Sequence, residues 1–302
     1  MNTLDAQRQA QVIASLIEGN SIRATCRMTG VAKGTVLSLL ARVGAACAAY
    51  QDKTLRHLPC QRVQCDEIWA FCYAKSINVP KAKQGRFGYG DVWTWTAIDA
   101  DTKPVPCWRV GRRDWWTGWD FLKDLASRMA GRVQITTDGH RAYRYTVQEA
   151  FGSQVDFAIL HKLYGSSLEG ERRYSPPHCL GAHPHAVAGT PDPKHISTSF
   201  VERQNLTMRM SMRRFTRLTN GFSKKVDNLA HAVALHFMAY NFCRVHQTLK
   251  QTPAMAAGVA DRVWMVQDIL SLLESICPPR HNAHACVSMV PWRTNCCTGI
   301  LL

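Results

Sequence analysis

The chain has 302 residues, 46% of them hydrophobic, which suffices for one large domain with appendages and a sizeable core. Lysine and arginine number 37 against 22 acids, a formal net charge of +15. That balance favours a polyanionic partner, nucleic acid before an acidic membrane surface, with a basic surface kept for solubility as the plainer alternative.

No apolar run reaches the ~18–20 residues of a membrane span, so a helical membrane protein is excluded and no membrane partner is expected. The 12 cysteines are scattered and form no CxxC pair. With no secretory signal at the start, they read as free, buried thiols of a reduced, cytoplasmic protein.

Residues 4–44 carry a helix-turn-helix pattern. Val12, Ile13, Leu16 and Ile17 recur at helical spacing, and Gly19-Asn20 stops that helix. Ser21 can cap a second helix, Ile22 to Met28, and Gly30 makes the turn into a third, Ala32 to Val43. Lys33, Thr35, Ser38 and Arg42 then fall on its exposed side, where such a helix meets base edges in a major groove. Three-helix packing without DNA is the plainer reading.

Residues 45–60 read as a linker or short helix. A strand follows from about Arg62 to Cys72, then a basic, glycine-punctuated loop with Lys75, Lys81, Lys83 and Arg86. Val92 to Asp99 and Val105 to Val110 read as two more strands, Trp115 to Met129 as an amphipathic helix, and Val133 to Thr137 as a buried strand. Arg141 to Phe151 reads as a helix and Phe157 to Leu160 as a short fifth strand. Three meander strands followed by alternating helices and strands predict an α/β fold with a mixed sheet.

Residues 165–197 are polar and rich in glycine, proline and histidine, the signature of a functional or flexible insert. His178, Cys179, His183 and His185 crowd that insert; they offer zinc ligands, with a solvated loop as the plainer reading. Helical patterns return at 199–215, 226–246 and 263–276, and the residues from Pro278 lack periodicity.

Three acids sit where chemistry collects. Asp66 lies in the apolar-aromatic run Cys65-Asp66-Glu67-Ile68-Trp69-Ala70-Phe71, and an unpaired buried carboxylate is costly. Asp138 ends the strand Val133-Gln134-Ile135-Thr136-Thr137. Glu202 opens a helix crowded with arginines. Taken singly, Asp138-Gly139 is a common turn and Glu202 an ion-pair partner of Arg203 or Arg209. Together, two strand aspartates and a helix glutamate suit a pair of hard divalent cations. Side chains alternate along a strand, so only one acid of Asp66-Glu67 is expected to face Asp138.

The motifs Cys65-Asp66-Glu67-Ile68-Trp69, Thr137-Asp138-Gly139-His140-Arg141-Ala142-Tyr143 and Val201-Glu202-Arg203-Gln204-Asn205-Leu206-Thr207-Met208-Arg209 resemble the three acidic motifs of bacterial insertion-sequence transposases, the insertion-sequence-one family above all. Tyr240 to Leu249 also resembles a helix end common in this class. Between Asp66 and Asp138 lie 71 residues, and between Asp138 and Glu202 lie 63. The likeness covers about residues 60–255.

The resemblance implies a ribonuclease-H-like mixed sheet with flanking helices, preceded by an all-α helix-turn-helix module. It implies Asp66, Asp138 and Glu202 as catalytic ligands of two Mg²⁺ or Mn²⁺ ions, cleaving insertion-sequence ends and transferring strands into target DNA. It also implies DNA contacts by Arg209, two helical turns beyond Glu202, with Asn205 on that face and Arg213, Arg214 and Arg217 continuing the basic strip. The expected partners are double-stranded DNA, as element ends and target, and further copies of the chain in a homodimer or higher homo-oligomer. The expected location is the bacterial cytoplasm, at the nucleoid.

The expected organisation is a helix-turn-helix module over 1–48, a catalytic domain over 60–255 with an insert at 165–197, a C-terminal helix over 256–277 and an irregular tail over 278–302. The chain departs from the family in lacking a cysteine zinc finger ahead of the helices, where only Cys26 and Cys47 occur. A structure-selective nuclease on the same core, and a non-enzymatic helix-turn-helix regulator, are the competing readings.

Overall fold

The computed structural model of the protein describes residues 4–165, 179–216 and 219–276. His178, Arg217 and the tail from 278 lie outside the described residues.

Three helices open the chain: α1 (Ala6–Ile17), α2 (Ile22–Thr29) and α3 (Lys33–Thr54). Asp5 caps α1 by accepting the Arg8 N–H at 2.7 Å, and Ser21 caps α2 by accepting that of Ala24 at 3.1 Å. Gly30 ends α2 at φ +67°, a left-handed position that glycine adopts without strain. The axes of α2 and α3 meet at 113°.

Helix α3 does not stop at Val43. It runs unbroken to Thr54, so the boundary expected near residue 48 falls inside it. Its second half packs on α7 (Val226–Met238), and at Gly44 the two helices touch: a Cβ there would lie 2.5 Å from the His231 carbonyl oxygen. Gln51 donates to the Ala234 carbonyl at 3.1 Å, and Arg128 binds Asp52 at 2.6 Å. One apolar cluster accordingly runs from Val12 and Ile13 through Val36, Leu40 and Val43 into the centre of the molecule.

The centre is a six-stranded sheet in the order β3-β2-β1-β4-β5-β6. Its strands are β1 (Arg62–Cys72), β2 (Gly90–Asp99), β3 (Trp108–Gly111), β4 (Val133–Thr137), β5 (Val155–Tyr164) and β6 (Cys179–Ala188). The first three form an antiparallel meander, β1, β4 and β5 run parallel, and β6 closes the edge antiparallel to β5. This mixed α/β sheet with flanking helices is consistent with a ribonuclease-H-like fold.

Both faces of the sheet are covered. Val63, Cys65, Trp95, Ala97 and Ile135 pack under α4 (Trp115–Arg128) and α5 (Arg141–Phe151) through Phe121, Leu122, Tyr143 and Val147. On the opposite face Ile68, Ala70, Val92 and Ile98 meet Val201 and Met208 of α6 (Ser199–Ser211) and Leu229, Val233 and Phe237 of α7. The alternation along β1 therefore divides two cores.

Strand β3 lies later than the expected 105–110 and β5 runs longer than the expected 157–160, and two further elements differ more. Strand β6 crosses the supposed insert, although Gly181 and Pro184 are poor strand residues; the open edge of β5 supplies the hydrogen bonds that hold it. The helix expected over 226–246 ends at Met238, and Ala239–Cys243 form a wider π-type turn. There the buried Asn241 accepts the Val105 N–H at 2.9 Å and donates to the Val105 carbonyl at 3.0 Å. The last described elements are α8 (Pro253–Ala256) and α9 (Val266–Ile276).

Among the described residues no single helix is long and apolar enough to cross a membrane. Cys47, Cys60, Cys65, Cys72 and Cys107 are free and buried. Cys179, His183 and His185 lie along β6 and belong to no metal-ligating cluster among the described residues.

Candidate metal and nucleic-acid site

Strand β4 ends where β1 continues. Its last ladder pair is Thr137 with Cys65, so Asp138 stands just past the end of β4, beside Asp66 and Glu67. Gly139 lets the chain pass close to the His161 ring, where a Cβ would lie 3.0 Å from Nδ1.

Asp66 faces α6. Its Oδ2 accepts the Asn205 side-chain amide at 2.8 Å, and its Oδ1 accepts the Glu67 backbone N–H at 2.8 Å. Burial, then the Asp138 charge, push its carboxyl up to about 7, against the two hydrogen bonds that lower it.

Glu67 faces the other way, into the layer of α4 and α5, as strand alternation requires. Its carboxylate is nevertheless not remote from Asp138: one oxygen each of Asp66, Glu67 and Asp138 lie within 4.8 Å of one another. The expectation that only one of the two acids reaches Asp138 is therefore corrected. Alternation separates side chains across a sheet, but Asp138 sits beyond the end of its own strand, and both faces are open to it.

Arg113 joins these acids. Its Nε donates to Glu67 Oε2 at 3.0 Å, its Nη2 lies 3.7 Å from Asp138 Oδ2, and its guanidinium lies 4.7 Å from the Trp93 ring centre. Glu67 is also pushed up to about 7, by burial first and the Asp138 charge second, with the Tyr143 hydroxyl and then Arg113 pulling it down. Burial and the Arg113 charge hold the neighbouring His140 below the usual histidine range.

Glu202, exposed in the first turn of α6, lies outside that cluster of three. Its Oε1 accepts from the Lys162 ammonium of β5 and from Thr198 Oγ1 at 2.6 Å. It stays close enough for its charge to raise the Asp66 carboxyl.

Helix α6 buries Val201, Gln204, Asn205 and Met208 against the sheet. Asn205, expected to face DNA with Arg209, is thus buried on the sheet side of the helix and spends its amide on Asp66. Arg209 is half-buried near the end of α6, and Arg213 is exposed in the turn beyond. Arg214 is mostly buried and donates to Ser223 Oγ at 2.5 Å. Burial lowers it to about 10. Lys33, Thr35, Ser38 and Arg42 are all exposed on the first turns of α3.

Arg113, Lys162 and Gln64 escaped the sequence reading. Arg113 follows β3 directly, and its place beside an acidic motif depends on a strand pairing that no local pattern reports. The apolar rhythm of β1 gave a weak signal for Gln64, the polar residue on the same face as Asp66.

No family model matches the chain, and no curated protein sequence matches it. Among solved structures it is similar to the Mos1 transposase paired-end complex with left transposon end, at 13% identity and a TM-score of 0.22 over 52% of this chain and 60% of that one. The chain thus spans less than two thirds of that structure's length. It is also similar to the Mos1 strand transfer complex, at 12% identity and a TM-score of 0.23 over 85% and 81% of the two chains. A third is the Mos1 mariner paired-end complex with Mn, at 12% and 0.26 over the same shares.

The donor set fits a hard divalent cation. Clustered carboxylate oxygens suit Mg²⁺ or Mn²⁺, whereas the buried thiols nearby are pushed upward and stay protonated. Glu67 Oε1 is buried and without a hydrogen bond of good geometry, an atom that a cation would satisfy.

Proposed function

We propose that the chain is a metal-dependent DNA transposase of the bacterial insertion-sequence kind, similar to the insertion-sequence-one family, working on DNA at the nucleoid. The observation that carries this reading is the convergence of Asp66, inside strand β1, with Asp138, just past the end of the neighbouring parallel strand β4. Asn205 ties the helix bearing Glu202 directly to Asp66.

In this reading Asp66, Asp138 and Glu202 hold two Mg²⁺ or Mn²⁺ ions. Such ions, when bound, activate an attacking hydroxyl and stabilise charge on the leaving oxygen of a phosphodiester. The chain's own side chains prepare the site. Asn205 fixes the rotation of Asp66. Arg113 offsets part of the carboxylate charge in the metal-free protein. Lys162 and Thr198 hold Glu202 at the rim.

Arg209 near the end of α6 and Arg213 in the turn beyond it supply cations for a phosphate backbone, which position DNA without reading its sequence. Lys33, Thr35, Ser38 and Arg42 present a helix-turn-helix surface to a major groove, as the module over 1–48. Two DNA ends brought together call for a second copy of the chain.

The test is an assay with the element's own ends and Mg²⁺ or Mn²⁺. The reading requires cut ends and strand-joined product, both lost in Asp66→Asn and Asp138→Asn. Cutting without joined product would favour a nuclease on the same core. Specific end binding with no cutting in either metal would favour a DNA-binding regulator.

A further inference from the structure

Glu67 has no part in the three-acid reading, yet it is the most enclosed carboxylate at the site. Its side chain is 0% exposed. One oxygen, Oε2, is taken by the Arg113 guanidinium at 3.0 Å. The other, Oε1, forms no hydrogen bond of good geometry. The Tyr143 hydroxyl, equally buried and otherwise unpartnered, comes near enough to the carboxylate to pull its pKa down but leaves Oε1 unsatisfied. The closest ring nitrogen, His140 Nδ1, stands 3.7 Å away and is itself unpartnered. Buried carboxylate oxygens are rarely left in that condition, because desolvation without a partner is costly.

The surroundings define what would satisfy Oε1. A Glu67 oxygen lies within 4.8 Å of oxygens of both Asp66 and Asp138. Arg113, packed over Trp93, holds the second oxygen and so fixes the carboxylate's rotation. Three carboxylates and one guanidinium carry a net charge of minus two when all are ionised, the complement of one divalent cation. Glu202 is occupied elsewhere by Lys162 and Thr198.

We infer that Glu67 is itself a metal ligand: Asp66, Glu67 and Asp138 form a three-carboxylate site that takes one hard divalent cation before DNA arrives. Glu202 contributes little to this first ion. The inference rests on the metal-dependent reading above and adds to it a ligand, an order of assembly and a role for Arg113, which positions Glu67 through Oε2.

The experiment is Mn²⁺ titration into the DNA-free full chain, by calorimetry and by the electron paramagnetic resonance signal of free Mn²⁺. It compares wild type with Glu67→Gln, Glu67→Asp and Glu202→Gln, with a melting curve for each. Glu67→Gln should weaken the first ion about tenfold or more, Glu67→Asp by less, and Glu202→Gln by no more than about twofold.

A folded Glu67→Gln protein that binds the first ion within about twofold of wild type overturns the inference. Should Glu67→Gln unfold, Glu67→Asp decides: wild-type affinity in that variant overturns it equally. Nicking of supercoiled plasmid with Mn²⁺ separates the two levels of the argument. Wild type that neither binds Mn²⁺ nor nicks removes the metal-dependent reading and this inference together. Wild type that binds and nicks, with Glu67→Gln unchanged in affinity, removes only the inference.

Discussion

Gln64 Oε1 accepts the backbone N–H of Val201 at 3.1 Å, and that of Phe200 at 2.8 Å, so strand β1 caps helix α6 two residues ahead of Asp66. The first N–H groups of a helix have no partner within it. A buried side chain from the strand supplies one here and thereby sets where α6 begins. One turn on, Asn205 reaches Asp66. Two side-chain contacts thus fix the register of the helix against the strand that carries the first acid.

Gln64→Leu, which keeps bulk and removes both acceptor contacts, should destabilise the protein by about 1–3 kcal/mol in urea unfolding. It should also reduce metal-dependent cutting per folded molecule. Unchanged stability would show that α6 is seated by its apolar face alone.

The raised carboxyls give a pH dependence with a definite sign. Asp66 and Glu67 titrate near 4 in an unfolded chain and near 7 in the folded one, so between those values the folded state binds more protons. Their contribution to stability is full below about pH 4 and is lost as pH rises through 7. In EDTA, Asp66→Asn should raise the melting temperature relative to wild type more at pH 8 than at pH 5. Mn²⁺ must displace these protons, so affinity should be about tenfold or more lower at pH 6 than at pH 8. A flat pH profile would contradict both statements.

Lys33 and Arg42 are exposed on α3, away from the carboxylates in sequence and in contacts. Replacing both with glutamine should leave folding intact and flatten the dependence of DNA affinity on salt. If each meets one phosphate, the slope of log affinity against log salt falls by roughly 1.8. An unchanged slope would place the DNA elsewhere on the surface.

Gly44→Ala should destabilise the protein by about 1–3 kcal/mol, because the new methyl must push α3 away from the His231 carbonyl oxygen. The measurement is thermal or urea unfolding followed at both the N-terminal helices and the core. A small loss confined to the N-terminal helices would mean that the α3–α7 contact contributes little.

Much of the frame was legible in the sequence. Val133–Thr137 and Arg141–Phe151 have the boundaries their patterns suggest, because a run of β-branched residues and a periodic apolar face leave little ambiguity. The strand-ending position of Asp138 followed from the same pattern. The continuation of α3 was also signalled, by Ala45-Ala46-Cys47-Ala48-Ala49, a run of strong helix formers that a linker would not need. Strand β6 was not legible, since its residues take their conformation from the edge of β5. The partners Arg113, Lys162 and Asn205 depend on contacts across 46, 40 and 139 positions of chain, and no local pattern encodes those.

Helix α3 has a mechanical consequence. Its 22 residues make a rod about 33 Å long. Lys33 sits at one tip; Gln51 and Asp52, near the other, are bolted to α7 and to Arg128. With no joint between those ends, whatever the outer tip grips is held at a set offset from the sheet. The rod behaves as a ruler and not as a tether, and inserting a single residue midway along it would rotate the tip by about 100° around the axis.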